Sequence, residues 1–300
     1  HVRSRRQRQM CIRDRSRTGI ERRHFADEHE TTAFMGIEAA QAALDYAECT
    51  IDKVDAILVA TSTADLTFPS VATMIQNGLG MRHGFAFDVQ AVCAGFVYAL
   101  TVANSMIASG QNSRILVIGS ETFSKLMDWT DRSTCVLFGD GAGAMLVAAQ
   151  SNDKSNRGIL ATTLHSDGQY KDLLYVDGGV SLQTTGYLRM QGKEIFRHAV
   201  EKLSEATFES LEKAGLTTQD VDWIVPHQAN KRILEGMSKR LNIPTERVVM
   251  TVNNHGNTSA ASIPLAMSVA VNDNRIKHGD LVVIGAIGGG LAWGTAVIRW

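Results

Sequence analysis

Phe87-Asp88-Val89-Gln90-Ala91-Val92-Cys93-Ala94-Gly95-Phe96 decides the fold, because an apolar β run over 84–89 turns there into a long apolar helix at a single cysteine. Phe96, Val97, Leu100, Ala103, Met106 and Ile107 recur at helical spacing, Thr101, Asn104 and Ser105 form the polar stripe, and Gly110 supplies a stop. Such a helix is buried nearly all round. A thiol at its start meets unpaired N–H groups and the positive end of the helix dipole, which is expected to lower its pKa and make a nucleophile. By position alone, a small buried hydrophobe is the commoner reading of Cys93.

Outward from this stretch, alternating strands and helices repeat. A helix is expected over 31–48, a strand over 54–60, a helix from Phe68-Pro69-Ser70 to about Leu79, and a strand over 114–119. A hairpin-like region around Phe138-Gly139-Asp140-Gly141-Ala142-Gly143-Ala144 leads into a strand over 145–149, and the polar run 150–157 reads as a linker. After it the plan returns. Val221-Asp222-Trp223-Ile224-Val225 echoes Val54-Asp55-Ala56-Ile57-Leu58 at an offset of 167, and Leu281-Val282-Val283-Ile284-Gly285 echoes Ile115-Leu116-Val117-Ile118-Gly119 at 166. A helix starting near Thr258 takes the place of the Cys93 helix at 165. One recurring offset implies two homologous halves, 16–150 and 151–300, built as layered α/β sheets with the central helices sandwiched between them. The two buried helix starts, at Cys93 and at Asn257-Thr258, then face each other. Val225-Pro226-His227-Gln228-Ala229-Asn230, at a strand end, is placed to join them.

Composition bounds the rest. The 300 residues are 44% hydrophobic, enough for a large core, and no apolar run approaches the ~20 residues that span a bilayer. Cys11, Cys49, Cys93 and Cys135 show neither a disulfide framework nor metal spacing, so no metal is expected and a reduced cytoplasmic setting fits best. Residues 1–23 carry nine arginines against Asp14 and Glu21, leaving the remainder near −8. A basic tail can bind nucleic acid, but this one has no interleaved aromatics and no apolar periodicity, so neither a nucleic acid nor a membrane partner is expected. Residues 1–15 read as a foreign or disordered basic segment at a truncated start.

Val92-Cys93-Ala94-Gly95-Phe96, the glycine-rich 138–144 stretch, His227-Gln228-Ala229-Asn230, Gly256-Asn257-Thr258-Ser259-Ala260-Ala261-Ser262 and Gly288-Gly289-Gly290 together resemble β-ketoacyl-acyl-carrier-protein synthase III, in order from about Arg17 to Trp300. The resemblance implies the thiolase fold, a five-layered αβαβα sandwich of two pseudo-symmetric halves, and a homodimer. It implies that Cys93, His227 and Asn257 form the catalytic triad of an acyltransferase that initiates type II fatty acid synthesis. Cys93 would take an acyl group, acetyl by expectation, from acyl-CoA. Malonyl-acyl carrier protein would then lose CO2 and condense with it, with His227 and Asn257 as neutral donors to the enolate. The backbone N–H groups of Cys93 and Gly289 would form the oxyanion hole. Acyl-CoA is a substrate, and no cofactor is implied.

By the same resemblance Arg17, Thr18, Arg132, Gly192, Phe196, Ala229 and Asn230 line the CoA tunnel, and Phe68 closes the acyl pocket across the dimer, favouring a short primer. Arg197, Arg232, Lys239 and Arg240 match the carrier-docking positions; the last three also share one helix face on an otherwise acidic protein. The family stacks adenine between the arginine matched by Arg132 and a tryptophan shortly before Arg-Thr-Gly. Here Arg13-Asp14-Arg15-Ser16 stands in that place, and no apolar run precedes Arg17. Weakened CoA binding and an unpaired or otherwise filled edge on the first sheet are therefore expected. Competing readings are a ketide-forming acyltransferase of a secondary pathway and a catalytically silent carrier-binding scaffold. A papain-like hydrolase also uses Cys, His and Asn, but the duplicated α/β pattern argues against it. His255 is assigned to a loop, and the glycine-rich stretches, lacking G-K-[ST] and G-x-G-x-x-G, are read as tight turns rather than phosphate loops.

Overall fold

The computed structural model describes residues 6–7, 12–150 and 157–300. Strand β1 (Arg6–Gln7), helix α1 (Ile12–Thr18) and strand β2 (His24–Phe25) come first, with β1 and β2 antiparallel. Of the segment read as foreign or disordered, residues 1–5 and 8–11 lie outside the described residues. Residues 12–15 are helical rather than disordered, and Asp14 pairs with Arg132 at 3.0 Å.

The first half continues with α2 (Thr32–Tyr46), β3 (Ala56–Ala60), α3 (Val71–Gly78), β4 (Phe85–Val89), α4 (Gly95–Ala108), β5 (Arg114–Thr122) and β6 (Asp140–Ala148). Its sheet runs β4-β3-β5-β6, with only β6 antiparallel. The second half holds β7 (Gly158–Ser166), the small hairpin β8 (Leu174–Val176) and β9 (Leu188–Met190), and the long helix α5 (Gly192–Lys213). Then come β10 (Trp223–Pro226), α6 (Lys231–Leu241), α7 (Val252–His255), α8 (Ser262–Asn272), β11 (Leu281–Gly288) and β12 (Ala292–Arg299). Its sheet runs β10-β11-β12-β7.

Strand periodicity produces the layering. Ala56, Leu58 and Ala60 of β3 point into a central core with Phe96 and Leu100 of α4 and Ile263 and Met267 of α8, and Val282, Ile284 and Ala286 of β11 enter that core from the other sheet. The intervening Ile57 and Val59 pack outward on Ala40 and Leu44 of α2 and Ile75 of α3. Leu281 and Val283 pack outward on Leu203 of α5 and Met237 of α6. Both faces of each sheet are covered, which is why the inner strands read as continuous apolar runs. Five layers result: α2 and α3, a sheet, α4 and α8, a sheet, α5 and α6.

Carboxylates tie helix starts to strands. Asp88, at the end of β4, accepts from the backbone N–H groups of Val71 (2.9 Å) and Ala72 (2.8 Å), and Asp65 accepts from Thr32 (2.8 Å) and Ala33 (2.7 Å). Each satisfies orphan donors of a first turn.

The halves differ from the expectation at one place. Residues 140–144 are not a hairpin but the first part of β6, paired with β5 from Thr122↔Asp140 onward. The expected linker lies largely at residues 151–156, outside the described residues. β12 is flanked by β11 and β7, whereas its counterpart β6 has β5 alone as a strand partner among the described residues, in line with the unpaired edge expected there.

Candidate active site

The two central helices start in matching ways. Val92–Ala94 is a single 3-10 turn ahead of α4, and Ser259–Ala261 is the same ahead of α8. Val92 and Ser259, 167 positions apart, have φ of +50° and +49°, a backbone region that β-branched residues rarely enter. The turns fit because glycines stand opposite them on the facing strands. A Cβ on Gly288 of β11 would stand 2.7 Å from the Cys93 nitrogen, and one on Gly119 of β5 would stand 2.4 Å from the Ala260 carbonyl oxygen. Each half thus admits the nucleophile-bearing turn, or its counterpart, of the other.

Cys93, His227 and Asn257, chosen from distant parts of the sequence, line one cavity of about 210 Å³, together with Phe138, Gly192 and Ala229. All three triad side chains are buried. His227 follows β10, and its N–H donates to Gly285 O at 2.8 Å. Its Nδ1 lies 2.6 Å from Ser262 Oγ, which also accepts the Gln228 N–H at 3.2 Å. Nδ1 is the acceptor that the Ser262 hydroxyl meets, so the Ser262 proton is assigned to Nδ1 and Nε2 carries the ring hydrogen. Burial depresses the His227 pKa to about 3, keeping the ring neutral. Asn257 is held by its backbone on both sides: its N–H donates to Leu137 O (3.0 Å), and its carbonyl accepts from Gly139 N–H (2.9 Å). Its Oδ1 accepts the Ser259 N–H at 2.9 Å, which leaves Nδ2 as the free donor end. The cavity therefore receives two neutral N–H donors.

The thiol itself departs from expectation. Burial pushes the Cys93 pKa up to about 12, although a Ser259 side-chain interaction and the Cys93 backbone both favour thiolate. Desolvation of a charged sulfur outweighs the helix end here.

The other expected residues divide. Gly192, Ala229 and Asn230 line the cavity, and Asn230 also caps α6 by accepting from Ile233 N–H at 3.1 Å. Phe196, exposed on α5, is outside its lining. Arg17 is exposed on α1 while Thr18 is partly buried, and the Asp14–Arg132 pair brings Arg132 beside the same helix. A Cβ added to Gly289 would meet Leu174 O, and it is one added to Gly288 that would meet the Cys93 nitrogen. Phe68 is 83% exposed in the single chain. Arg197 pairs with Glu194 (2.9 Å) and Arg240 with Glu205 (3.2 Å), whereas Arg232 and Lys239 are exposed and make no ion pair among the described residues. His255 sits in α7 rather than a loop, outside the cavity lining.

Sequence reading missed the residues that aim the donors: Ser259, Ser262 and Gln228. Gln228 is buried, donating to Pro226 O and Val249 O and accepting from Thr251 and Val252 N–H. Only adjacency to His227 and Asn257 in the quoted motifs hinted at them. Among the described residues no group of three His, Cys, Asp or Glu could hold a metal ion, and no helix is long and apolar enough to cross a membrane.

Comparison with known proteins identifies the family. Residues 87–168 match the family model described as 3-oxoacyl-[acyl-carrier-protein (ACP)] synthase III, and residues 211–300 match its C-terminal model. Beta-ketoacyl-[acyl-carrier-protein] synthase III of Ruegeria sp. (strain TM1040) is 68% identical over 288 residues, covering 95% of this chain and 89% of that protein. The enzyme of the same name from Paracoccus denitrificans (strain Pd 1222) is 64% identical over 289 residues, with 95% and 90% covered. The crystal structure of 3-oxoacyl-[acyl-carrier-protein] synthase III from Aquifex aeolicus VF5 superposes with a TM-score of 0.90 at 45% identity, covering 95% of this chain and 90% of that one. The chain belongs to the 3-oxoacyl-[acyl-carrier-protein] synthase III family, thiolase-fold acyltransferases that initiate fatty acid synthesis by condensation.

Proposed function

We propose that Cys93 carries the acyl group and that His227 and Asn257 catalyse the decarboxylative condensation. The Cys93 sulfur attacks the thioester carbon of acyl-CoA, its proton leaves, and the C–S bond to CoA breaks, releasing the CoA thiol. Malonyl-acyl carrier protein then enters, the bond to its carboxylate breaks, and CO2 departs. The electron pair moves onto the thioester oxygen as an enolate. Its carbon attacks the acyl carbonyl on Cys93, and the sulfur leaves as thiolate and takes up a proton from water, giving a 3-ketoacyl-acyl carrier protein and restoring the thiol. Every bond is accounted for without a cofactor.

The observation that carries this reading is the pair of buried, neutral N–H donors, His227 Nε2 and Asn257 Nδ2, in one cavity with the thiol. Enolate stabilisation needs donors fixed before charge develops and shielded from water. A protonated imidazole would instead favour the substrate carboxylate, which must be lost. The backbone N–H groups of Cys93 and Gly289 serve the tetrahedral acyl-transfer steps. Gly192, Ala229 and Asn230 form the inner tunnel wall, with Arg17, Thr18, Arg132 and Phe196 toward its outer end.

Three surfaces complete the proposal. Arg232 and Lys239 dock the acidic carrier protein, with Arg197 and Arg240 contributing less because carboxylates already pair with them. A second copy covers Phe68, Leu66 and Phe85, apolar side chains that are 83%, 51% and 40% exposed. The enzyme works in the reduced cytoplasm, where Cys49, Cys93 and Cys135 stay free. Intact-mass measurement after exposure to acetyl-CoA tests the reading: a gain of about 42 Da on Cys93, lost on adding malonyl-acyl carrier protein, is expected. An unmodified thiol would overturn it in favour of a silent scaffold.

A further inference from the structure

Glu121, at the inner end of β5, is a buried carboxylate that the reaction above leaves without a task. Four donors converge on it. Ser62 N–H (3.1 Å), Thr61 Oγ1 (3.3 Å) and Thr63 Oγ1 (2.5 Å) reach Oε2, and Ser259 Oγ reaches Oε1 at 3.0 Å. The two threonine hydroxyls donate, because an ionised carboxylate only accepts, and each also accepts a backbone N–H: Thr63 Oγ1 from Thr122 and Thr61 Oγ1 from Thr63. Three of these donors belong to the first half. Ser259 comes from the second.

That fourth bond falls on a special residue. Ser259 has φ of +49°, where a side chain is disfavoured, and its own N–H is the group that turns the Asn257 amide. Without a tie on its hydroxyl, the turn has a reason to relax and the N–H a reason to swing away from Oδ1. We propose that Glu121 is a positioning residue for decarboxylation: from the first half it anchors Ser259, and through Ser259 it holds Asn257 with Nδ2 toward the enolate. This rests on the role given to Asn257 above. Burial raises the Glu121 pKa to about 7, and its four hydrogen bonds oppose that shift.

The test uses the full chain with Ser259→Ala, Ser259→Gly and Glu121→Gln. CO2 release from malonyl-acyl carrier protein is measured on enzyme already acetylated at Cys93, and the side-chain amide signals of 15N-labelled Asn257 are followed by NMR. Both Ser259 variants lose the hydroxyl beside Cys93, so acetylation slows equally in the two. CO2 release separates them. Alanine resists the positive φ and is expected to cost about tenfold or more, while glycine accepts that φ and keeps most of the activity. Glu121→Gln is expected to shift or broaden the Asn257 amide signals and to slow CO2 release more than acetylation. Equal CO2 release in Ser259→Ala and Ser259→Gly, or unchanged Asn257 signals in Glu121→Gln, would overturn the proposal. Should one variant not fold, the other measurement still decides. Absence of CO2 release from the wild-type chain would sink the functional reading itself, and with it this inference.

Discussion

Replacing Asn257 with aspartate keeps the shape of the side chain and reverses one hydrogen-bond polarity. The Ser259 N–H, 2.9 Å from Oδ1, needs an acceptor, and a carboxylate oxygen supplies one as well as the amide does. Toward the cavity a donor becomes a charged acceptor. Losing one donor aimed at a developing oxyanion costs ~10²–10³ in rate, about 2.7–4 kcal/mol. Repulsion between the new charge and the enolate has the same sign, so CO2 release from malonyl-acyl carrier protein is expected to fall by about 10³ or more. Acetylation of Cys93 forms no enolate and is expected to fall by less than about tenfold. Intact-mass kinetics follow the first half-reaction and CO2 capture the second. Asn257→Ala serves as the control for folding, since it strands the Ser259 N–H and is expected to lose about 1–3 kcal/mol of stability that the aspartate variant keeps. Equal losses in both half-reactions, or CO2 release within about threefold of wild type, would refute the assignment of Asn257 as an enolate donor.

Other expectations follow from the same geometry. Arg232→Glu is expected to weaken use of malonyl-acyl carrier protein by about tenfold at low salt, with the deficit shrinking as ionic strength rises, and to leave acetylation by acetyl-CoA unchanged; steady-state kinetics at two salt concentrations check this. His227 and His255 have folded pKa values of about 3 and about 4, below the ordinary 6.5, so the unfolded chain binds more protons than the folded one as pH falls through that window. Stability from these two rings is therefore complete above about pH 6.5 and declines below it by about 1.4 kcal/mol per pH unit for each ring, which urea midpoints at pH 7.5 and 5 measure. Phe68→Asp is expected to convert a dimer to a monomer in sedimentation, because a carboxylate there opposes burial against a second copy.

The parts of this protein written most clearly in its sequence are those set by continuous apolar burial. β3, β5, β10 and β11 read as strands because both faces of each sheet are covered, and a single offset exposed the duplication because both halves place such strands at the same positions. The motifs singled out Cys93, His227 and Asn257, and one cavity is lined by all three. Burial chemistry was not legible. The helix-end argument for Cys93 is right about the sign of one contribution, but the desolvation that dominates it depends on what packs around the sulfur, which no local pattern records. The glycines of 139–143 read as turn formers, yet Gly139 leads into β6 and Gly141 and Gly143 lie in it, where Leu265 and Pro264 of α8 approach closely. Ser259 lies two residues from Asn257, but its hydroxyl meets Glu121 across 138 residues and Ser262 meets His227 across 35, contacts that only the fold brings together.

The central claim is that a sulfur from one half and two N–H donors from the other converge on a single thioester. A crystal structure of the wild-type chain soaked with acetyl-CoA measures this directly. The expected result is an acetyl group bonded to Cys93 Sγ inside the cavity, with His227 Nε2 and Asn257 Nδ2 facing the same open space about 3 Å from where an enolate oxygen would sit. An acetyl group bound elsewhere, or a modified Cys93 whose acyl group points away from both donors, would contradict it.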